Sequence, residues 1–245
     1  MKHWRSSIVV VGIFVALIGA TVTFAGNPNP GVLPPNSHPY GHTYGEWSNT
    51  WWKWAFKTPR SNNPLLDTTG ANCGVGQSGS VWFLAGTFGS NSAVRNCTIP
   101  TGKALFFPIA NTEQDNVCPA ASFTVDQLKA RVKVVIDSFA QPNTQLDAKV
   151  DGVDIQQLQQ NYQVGPSSSF SIILPQNNLY SLAPPNGCST PAGTYSPAVS
   201  GGYYLMLAPL KPGTHTIHFN ADNTKSSAPS DLQIQLDVTY YLTVK

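Results

Sequence analysis

The chain has 245 residues, with 14 Lys plus Arg against 12 Asp plus Glu. Two of the cations, Lys2 and Arg5, lie in an N-terminal targeting segment, and without them the charges balance at 12 against 12. A neutral chain lacks the basic surface that nucleic acids and anionic membranes attract, so we expect neither as a partner. The length permits one large domain with a substantial core.

Residues 1–25 have the features of a cleavable signal peptide. A basic start at Lys2 and Arg5 precedes the apolar run Ile8–Ala20, and Thr23-Phe24-Ala25 places small residues at the −3 and −1 positions of a cleavage site. An uncleaved membrane anchor is the alternative. We expect cleavage after Ala25, a secreted or periplasmic protein, and no membrane insertion after cleavage.

All four cysteines follow the targeting segment, and an even count in an oxidising compartment is typical of two disulfides. Three pairings are open. We favour Cys73–Cys97 with Cys118–Cys188, because the first bond would join the two ends of a hairpin. A zinc site is the alternative, but no two cysteines have the CxxC spacing.

Residues 26–42 are rich in Pro, Asn and Gly and predict an extended lead-in. A helix over 43–58 follows, because Thr43 and Glu46 have the spacing of a capping box and Pro59 ends the helical pattern. Its tryptophans Trp47, Trp51 and Trp54 fall on one helical stripe, which predicts a face packed on the core.

Trp52 and Phe56 lie off that stripe. If they are exposed, they form an aromatic patch of a kind that monomers rarely tolerate, and hence a ligand-binding surface. If a second layer covers them, they are additional core. A third aromatic candidate for ligand binding, Tyr241, lies on the polar face of the last strand.

Strands are predicted at Ser80–Phe88 and Lys103–Ile109, followed by a polar loop over 111–116. A second helix over 124–140 begins with a capping box at Thr124 and Gln127. From Leu146 onward the pattern is β, with a turn at Asp151-Gly152, a strand at Phe170–Leu174, and a hairpin that joins Tyr203–Ala208 to Thr214–Asn220.

The last strand, Leu232–Val244, alternates strictly between apolar and polar residues, which predicts one buried and one solvated face. Seven to nine short strands and two helices predict an all-β-dominated, disulfide-bonded β-sandwich, immunoglobulin-like or jelly-roll-like, with both helices packed on it. We expect residues 43–245 to form this single domain.

Four segments resemble those of a set of uncharacterised exported bacterial proteins. They are Tyr44-Gly-Glu-Trp with Trp51-Trp-Lys-Trp54, Val81-Trp-Phe-Leu-Ala-Gly86, Gly102-Lys-Ala-Leu-Phe-Phe-Pro108 and Pro212-Gly-Thr-His-Thr-Ile-His-Phe219. The resemblance covers most of the mature chain. It implies export and a β-rich fold, and it implies no activity.

Glu46 and Glu113 are the only glutamates, and glycoside hydrolysis needs two carboxyl groups roughly 5 to 9.5 Å apart. His215 is the candidate that would assist them. A capping role for Glu46 and a solvated loop for Glu113 are the alternatives. A Ser-His-Asp triad stays open, but the chain has no Gly-x-Ser-x-Gly elbow.

No cofactor is required by any motif, although calcium is a candidate because Glu113 and Asp115 offer carboxylate oxygens in the polar loop. The loop lacks the alternating acidic pattern of an EF-hand. His215 and His218 are three residues apart on a strand, so they point to opposite faces and do not chelate one metal.

Three function classes remain. The favoured one is a non-catalytic binding module for a glycan or cell-surface polymer, with Trp52, Phe56 and Tyr241 as its aromatic platform. The second is a carbohydrate-active hydrolase or lyase that uses Glu46 and Glu113. The third is a structural surface protein that self-associates through an unpaired strand edge along 232–244.

Overall fold

The computed structural model describes Asn29 and residues 31–88, 91–118, 122–181, 188 and 190–245. The predicted signal peptide therefore lies outside the described residues. The helices are α1 (Tyr44–Lys57), α2 (Val125–Ser138) and α3 (Leu158–Asn161). The strands are β1 (Val81–Phe83), β2 (Asn91–Ile99), β3 (Ala104–Gln114), β4 (Gln145–Val150), β5 (Val153–Asp154), β6 (Gln163–Val164), β7 (Phe170–Leu174), β8 (Gly193–Leu207), β9 (Gly213–Asp222) and β10 (Gln235–Val244).

The strands form two mixed sheets. Sheet A has the order β1-β3-β8-β6, with β7 also paired to β8, and sheet B has the order β2-β10-β9-β4-β5. The pairs β1–β3 and β2–β10 are parallel, and the other pairs are antiparallel. Phe107 of sheet A meets Phe219 of sheet B with ring centroids 5.5 Å apart. The prediction of a disulfide-bonded β-sandwich with packed helices is confirmed.

Helix α1 begins at the predicted capping box. The Glu46 amide donates to the Thr43 hydroxyl at 3.2 Å, and the Thr43 amide donates to the Glu46 carboxylate at 2.8 Å. The helix packs on sheet A, where Ser48 donates to the Tyr204 hydroxyl at 2.9 Å. Trp51 is fully buried and its indole donates to the Leu84 carbonyl at 3.0 Å. A polar network therefore fixes the helix on the sheet in addition to its aromatic face.

Helix α2 packs against the other side of sheet A. Its capping box at Thr124 and Gln127 is formed, and the Tyr203 hydroxyl of β8 donates to the Ile136 carbonyl at 3.1 Å. A Cβ placed on Gly201 would lie 2.6 Å from the Val132 side chain. The helix therefore approaches β8 closely because that position has no side chain.

Both favoured disulfides are confirmed, with Cα–Cα distances of 6.0 Å for Cys73–Cys97 and 5.8 Å for Cys118–Cys188. The expectation that Cys73–Cys97 joins the two ends of a hairpin is wrong. Cys97 lies on β2 in sheet B, whereas Cys73 lies in the loop between α1 and β1, so the bond joins a loop to a sheet rather than closing a hairpin.

The strand predictions need four corrections. Strand β2 was not predicted, and β1 ends at Phe83 rather than Phe88. Strand β3 continues to Gln114, so most of the expected polar loop over 111–116 is strand. The expected hairpin across Lys211-Pro-Gly213 is also wrong, because β8 belongs to sheet A and β9 to sheet B.

The predicted unpaired edge along 232–244 is wrong, because β10 pairs with β2 on one side and with β9 on the other. The edge beyond β2 is covered by the preceding loop, where the Val94 amide donates to the Thr68 carbonyl at 3.2 Å and the Asn96 amide donates to the Thr69 carbonyl at 2.9 Å. Gly70 permits this contact, since its φ is +95° and a Cβ there would lie 2.5 Å from the Asn96 carbonyl oxygen. Within the described residues no helix is long and apolar enough to cross a membrane.

Candidate functional site

The outer face of sheet B is the side turned away from sheet A, and its side chains are almost all polar. Along β10 the odd-numbered residues point outward, while Leu236, Val238 and Tyr240 point into the core. The neighbouring strands follow the same alternation. The outward residues are Ser92, Val94, Asn96 and Thr98 on β2, Asp237, Thr239, Tyr241 and Thr243 on β10, and Thr214, Thr216, His218 and Asn220 on β9.

Tyr241 is the aromatic residue of this face. Its side chain is 51 % exposed, and the strand register places it between Asn96 of β2 and Thr216 of β9. It borders a cleft of about 480 Å³ that is otherwise lined mainly by hydroxyl and amide side chains, including Thr98 and Thr243. The predicted solvated position of Tyr241 is therefore where the structure places it.

A second cleft, of about 330 Å³, lies further along the same face. Ser92, Asp237 and Asn220 occupy one cross-strand row beneath it, and Gln145 of β4 extends it. The Oδ1 atom of Asn220 is buried and has no hydrogen-bond partner. Asp237 and Tyr241 are four residues apart on β10, so the two clefts are separated by about 14 Å along the strand.

His215 lies at the rim of the Tyr241 cleft and is held by two acceptors. Its Nδ1 is 2.7 Å from the Asp151 carboxylate, and its Nε2 is 2.9 Å from the Lys211 carbonyl oxygen. Partial burial opposes the charged form, but the hydrogen bonds to Asp151 and Lys211 raise the pKa of His215. Because both acceptors lack hydrogens, both bonds form together only when both ring nitrogens are protonated.

The three catalytic candidates are not brought together. Glu46 is exposed at the start of α1, where hydrogen bonds from Thr43 lower the pKa of its carboxyl. Glu113 lies on β3 in sheet A, whereas His215 lies on β9 in sheet B. None of the three forms a hydrogen bond or ion pair with another. The capping role is the one that the structure shows for Glu46.

Trp52 and Phe56 are buried, with 7 % and 2 % of their surfaces exposed. The two rings stack with centroids 5.2 Å apart, and Phe56 also stacks on Tyr180 at 5.4 Å. A second layer, formed in part by Tyr180, covers them, so they do not present an aromatic patch to solvent. The surplus aromatics of α1 are core.

Glu113 and Asp115 form a partly buried acid pair next to that stack. Asp115 accepts hydrogen bonds from the Val117 amide at 2.8 Å and from the Tyr180 hydroxyl. Burial, with the proximity of Asp115, raises the pKa of Glu113 well above its usual range. Burial also raises the pKa of Asp115, against the hydrogen bonds from Tyr180 and Val117. Both shifts favour the protonated form of the pair over the doubly ionised one.

Calcium binding at Glu113 and Asp115 stays a prediction. Calcium takes ionised carboxylates among six to eight oxygen ligands, whereas burial favours the protonated form of these two carboxyls. Across the described part of the chain there is no group of three or more His, Cys, Asp or Glu side chains that would hold a metal ion.

Sequence reasoning identified Tyr241 but missed its neighbours. Asn96 and Thr98 lie on the unpredicted strand β2, and Thr214 and Thr216 were assigned to a hairpin that does not form. A signal was present in the alternation of β2, where exposed Asn96 and Thr98 alternate with buried Cys97 and Ile99.

No protein-family model and no curated protein matches the chain. A solved structure, described as "Structure of PbICP-C in complex with falcipain-2", is 11 % identical in sequence with a TM-score of 0.24. The match covers 68 % of this chain and 100 % of that one. Similarity at this level supports no argument about the fold or function of the protein.

Proposed function

We propose that this protein is an exported, non-catalytic module that binds a glycan or cell-surface polymer on the outer face of sheet B. The observation that carries the proposal is the half-exposed ring of Tyr241 within a face of hydroxyl and amide side chains. Export follows from the predicted signal peptide, and two disulfides are compatible with an oxidising compartment.

Sugars have apolar C–H faces and polar hydroxyl rims, and the outer face offers a partner for each. An exposed tyrosine ring gives a flat apolar surface with a polar tip. Hydroxyl and amide groups such as those of Thr98, Thr243 and Asn96 both donate and accept hydrogen bonds, as sugar hydroxyls do. The ligand site thus combines an aromatic surface with several polar groups, as small-molecule sites generally do.

The two clefts favour a polymer over a single sugar. Tyr241 borders one cleft and Asp237 the other, about 14 Å apart on one strand. A chain of several sugar units would contact both, whereas a monosaccharide would occupy one.

The decisive experiment is a polysaccharide panel tested on the mature protein and on Tyr241→Ala. Loss of the stacked ring costs about 1 kcal/mol, so we expect the affinity to fall roughly five- to tenfold. Tyr40→Ala is the matched control, because Tyr40 is 43 % exposed in the lead-in, away from sheet B. Its affinity is expected to equal that of the unchanged protein.

Two results would overturn the proposal. If Tyr241→Ala and Tyr40→Ala bind with equal affinity, the ligand site is not at Tyr241. If no polysaccharide in the panel binds, the proposed binding function is wrong. Chromatography of the mixtures tests for catalysis, since new reducing or unsaturated sugar ends would favour the hydrolase or lyase alternative.

A further inference from the structure

A groove of about 400 Å³, here called the helix groove, runs between α1 and the segment Val75–Ser78. Its floor is the edge of Trp54 and the ring of Phe83, whose centroids are 5.5 Å apart. Phe83 belongs to sheet A, so the groove lies on the other layer of the sandwich from the outer face of sheet B. A volume of this size suits a small organic molecule.

The wall opposite the helix is fixed in place. The Trp54 indole donates to the Val75 carbonyl at 2.9 Å, and Gln77 exchanges two hydrogen bonds with the Phe83 backbone, at 2.8 and 2.9 Å. The Gly76 backbone packs closely against the Trp54 indole, because a Cβ at this position would lie 3.1 Å from the ring. A ligand would therefore meet a preformed groove and would not have to order a loop.

The charged side chains that line the groove are all basic. Lys53 and Lys57 are exposed on its helical wall, and no acidic residue lines it. Neither lysine forms an ion pair with any described residue. The Lys53 ammonium lies 5.8 Å from the centroid of the Phe170 ring, which does not line the groove, so Lys53 would have to turn to meet a ligand there.

The end of α1 does not compete for these ammonium groups. The Thr58 hydroxyl donates to the Trp54 carbonyl at 2.8 Å, and the Asn63 amide donates to the Ala55 and Thr58 carbonyls, each at 2.8 Å. Three of the backbone carbonyls at this helix end, those of Trp54, Ala55 and Thr58, are therefore satisfied without a lysine.

We infer that the helix groove is a second ligand site, which binds a small organic anion with a flat apolar body. The ring system would lie on Trp54 and Phe83, and the carboxylate would pair with Lys53 and Lys57. Charge complementarity selects the anion, because an apolar floor alone would not distinguish it from a neutral molecule.

The test compares 2-naphthoate with the neutral 2-naphthamide by titration, with binding measured from the NMR signals of the Trp54 indole. We expect naphthoate to bind at least about fivefold more tightly than naphthamide, and Lys53→Gln and Lys57→Gln each to weaken naphthoate about fivefold. Lys129→Gln on α2 is the matched control and should leave the affinity unchanged.

Three outcomes would overturn the inference. Equal binding of the two compounds would show an apolar surface without anion selection. Unchanged naphthoate affinity in both lysine variants would place the carboxylate elsewhere. No shift of the Trp54 signal at millimolar ligand would show that the groove is not a site. Circular dichroism of each variant confirms that it is folded, so a loss of binding reports on the groove.

Discussion

Two buried polar centres, one in each sheet, solve the same physical problem in different ways. Arg95 lies on β2 of sheet B, and the Glu113–Asp115 pair lies at the end of β3 in sheet A. Each is next to a disulfide. Cys73 and Arg95 line one small enclosed space, and the Cys188 amide donates to the carbonyl of Tyr180, the partner of Asp115.

Arg95 is enclosed by oxygen acceptors that replace water. Its Nε donates to Asp67 at 2.7 Å, its Nη1 to Ala85 at 2.6 Å, and its Nη2 to Gly86 at 2.8 Å, all on backbone carbonyls. Its Nη1 also donates to the Tyr240 hydroxyl at 2.7 Å, and the guanidinium stacks on that ring at 5.2 Å. A guanidinium does not lose its proton in proteins, so the fold itself has to solvate the charge.

The acid pair avoids the cost of buried charge by retaining a proton. Part of Glu113 reaches the surface, but its Oε1 is enclosed and has no hydrogen-bond partner. Burial raises the pKa of both carboxyls and so favours the protonated form of the pair. The comparison teaches that the fold solvates a charged side chain with its own oxygens in sheet B, whereas in sheet A burial shifts the pKa of two carboxyls and so makes stability depend on pH.

The largest expected effect comes from breaking the sheet B centre with Arg95→Met. The substitution removes the donor of the Asp67 and Gly86 carbonyls and leaves the Ala85 carbonyl with the Tyr240 hydroxyl alone. We expect the free energy of unfolding to fall by about 3–5 kcal/mol, as when one partner of a buried charged network is removed. Urea denaturation at pH 7 measures it.

Arg131→Met is the matched control for this prediction. Arg131 is partly exposed and donates to Gln114 at 2.7 Å and to Asp231 at 2.6 Å, so its removal should cost no more than about 1 kcal/mol. Similar losses in the two variants would contradict the role of Arg95 as a stabilising centre.

The second prediction concerns Glu113→Gln. This substitution should raise the free energy of unfolding at pH 8, whereas Arg95→Met lowers it. In the unfolded chain a glutamate releases its proton near about pH 4.3, while the folded pair retains it. The unfolded state then binds fewer protons, so the free energy of unfolding falls as pH rises, by about 1.4 kcal/mol for each pH unit until the pair ionises. An amide side chain at this position does not titrate, so the variant should lose the part of this decline that Glu113 contributes and keep only the part from Asp115.

Urea denaturation between pH 4 and pH 9 checks the prediction. At pH 4 the two proteins should have similar stability, and at pH 8 Glu113→Gln should be the more stable. Glu46→Gln is the control, because the exposed carboxyl of Glu46 has a lowered pKa and its loss should not stabilise the protein at pH 8. A parallel decline in the unchanged protein and Glu113→Gln would contradict the acid-pair interpretation.

These two centres also show where sequence reasoning stops. The capping boxes of α1 and α2 and the alternation of β10 are local patterns, and each was predicted. Strand β2 was missed because Arg95 occupies one of its inward positions, where an apolar residue is the usual signal. Its carbonyl and hydroxyl partners come from other parts of the chain, which no local window contains.

The acid pair was misjudged for a related reason. Glu113 and Asp115 belong to a polar run that is typical of a solvated loop, but β3 continues into it as far as Gln114 and Tyr180, 65 residues from Asp115, covers the acid pair. Tyr241, in contrast, was correctly placed in solvent because its exposure follows from strand alternation alone. Which strands flank it depends on sheet order, and that order was not predictable from the pattern.

The smallest expected effect comes from Tyr180→Phe, which alters the acid pair without removing either carboxyl. The ring is retained and should keep its stacking on Phe56, so the change is confined to one hydroxyl. The lost hydrogen bond to Asp115 should lower the free energy of unfolding by about 1 kcal/mol at pH 7.

The pH profile of Tyr180→Phe separates the acid pair from ordinary packing. The hydroxyl donates to Asp115 and so favours its ionised form; without it the pKa of Asp115 rises further, and the decline in stability should extend to higher pH. Tyr195→Phe is the control, because its hydroxyl donates to the Pro191 carbonyl at 2.9 Å and contacts no carboxyl. A shift of the profile to lower pH, or the same profile in both variants, would mean that Tyr180 does not act on the shared proton.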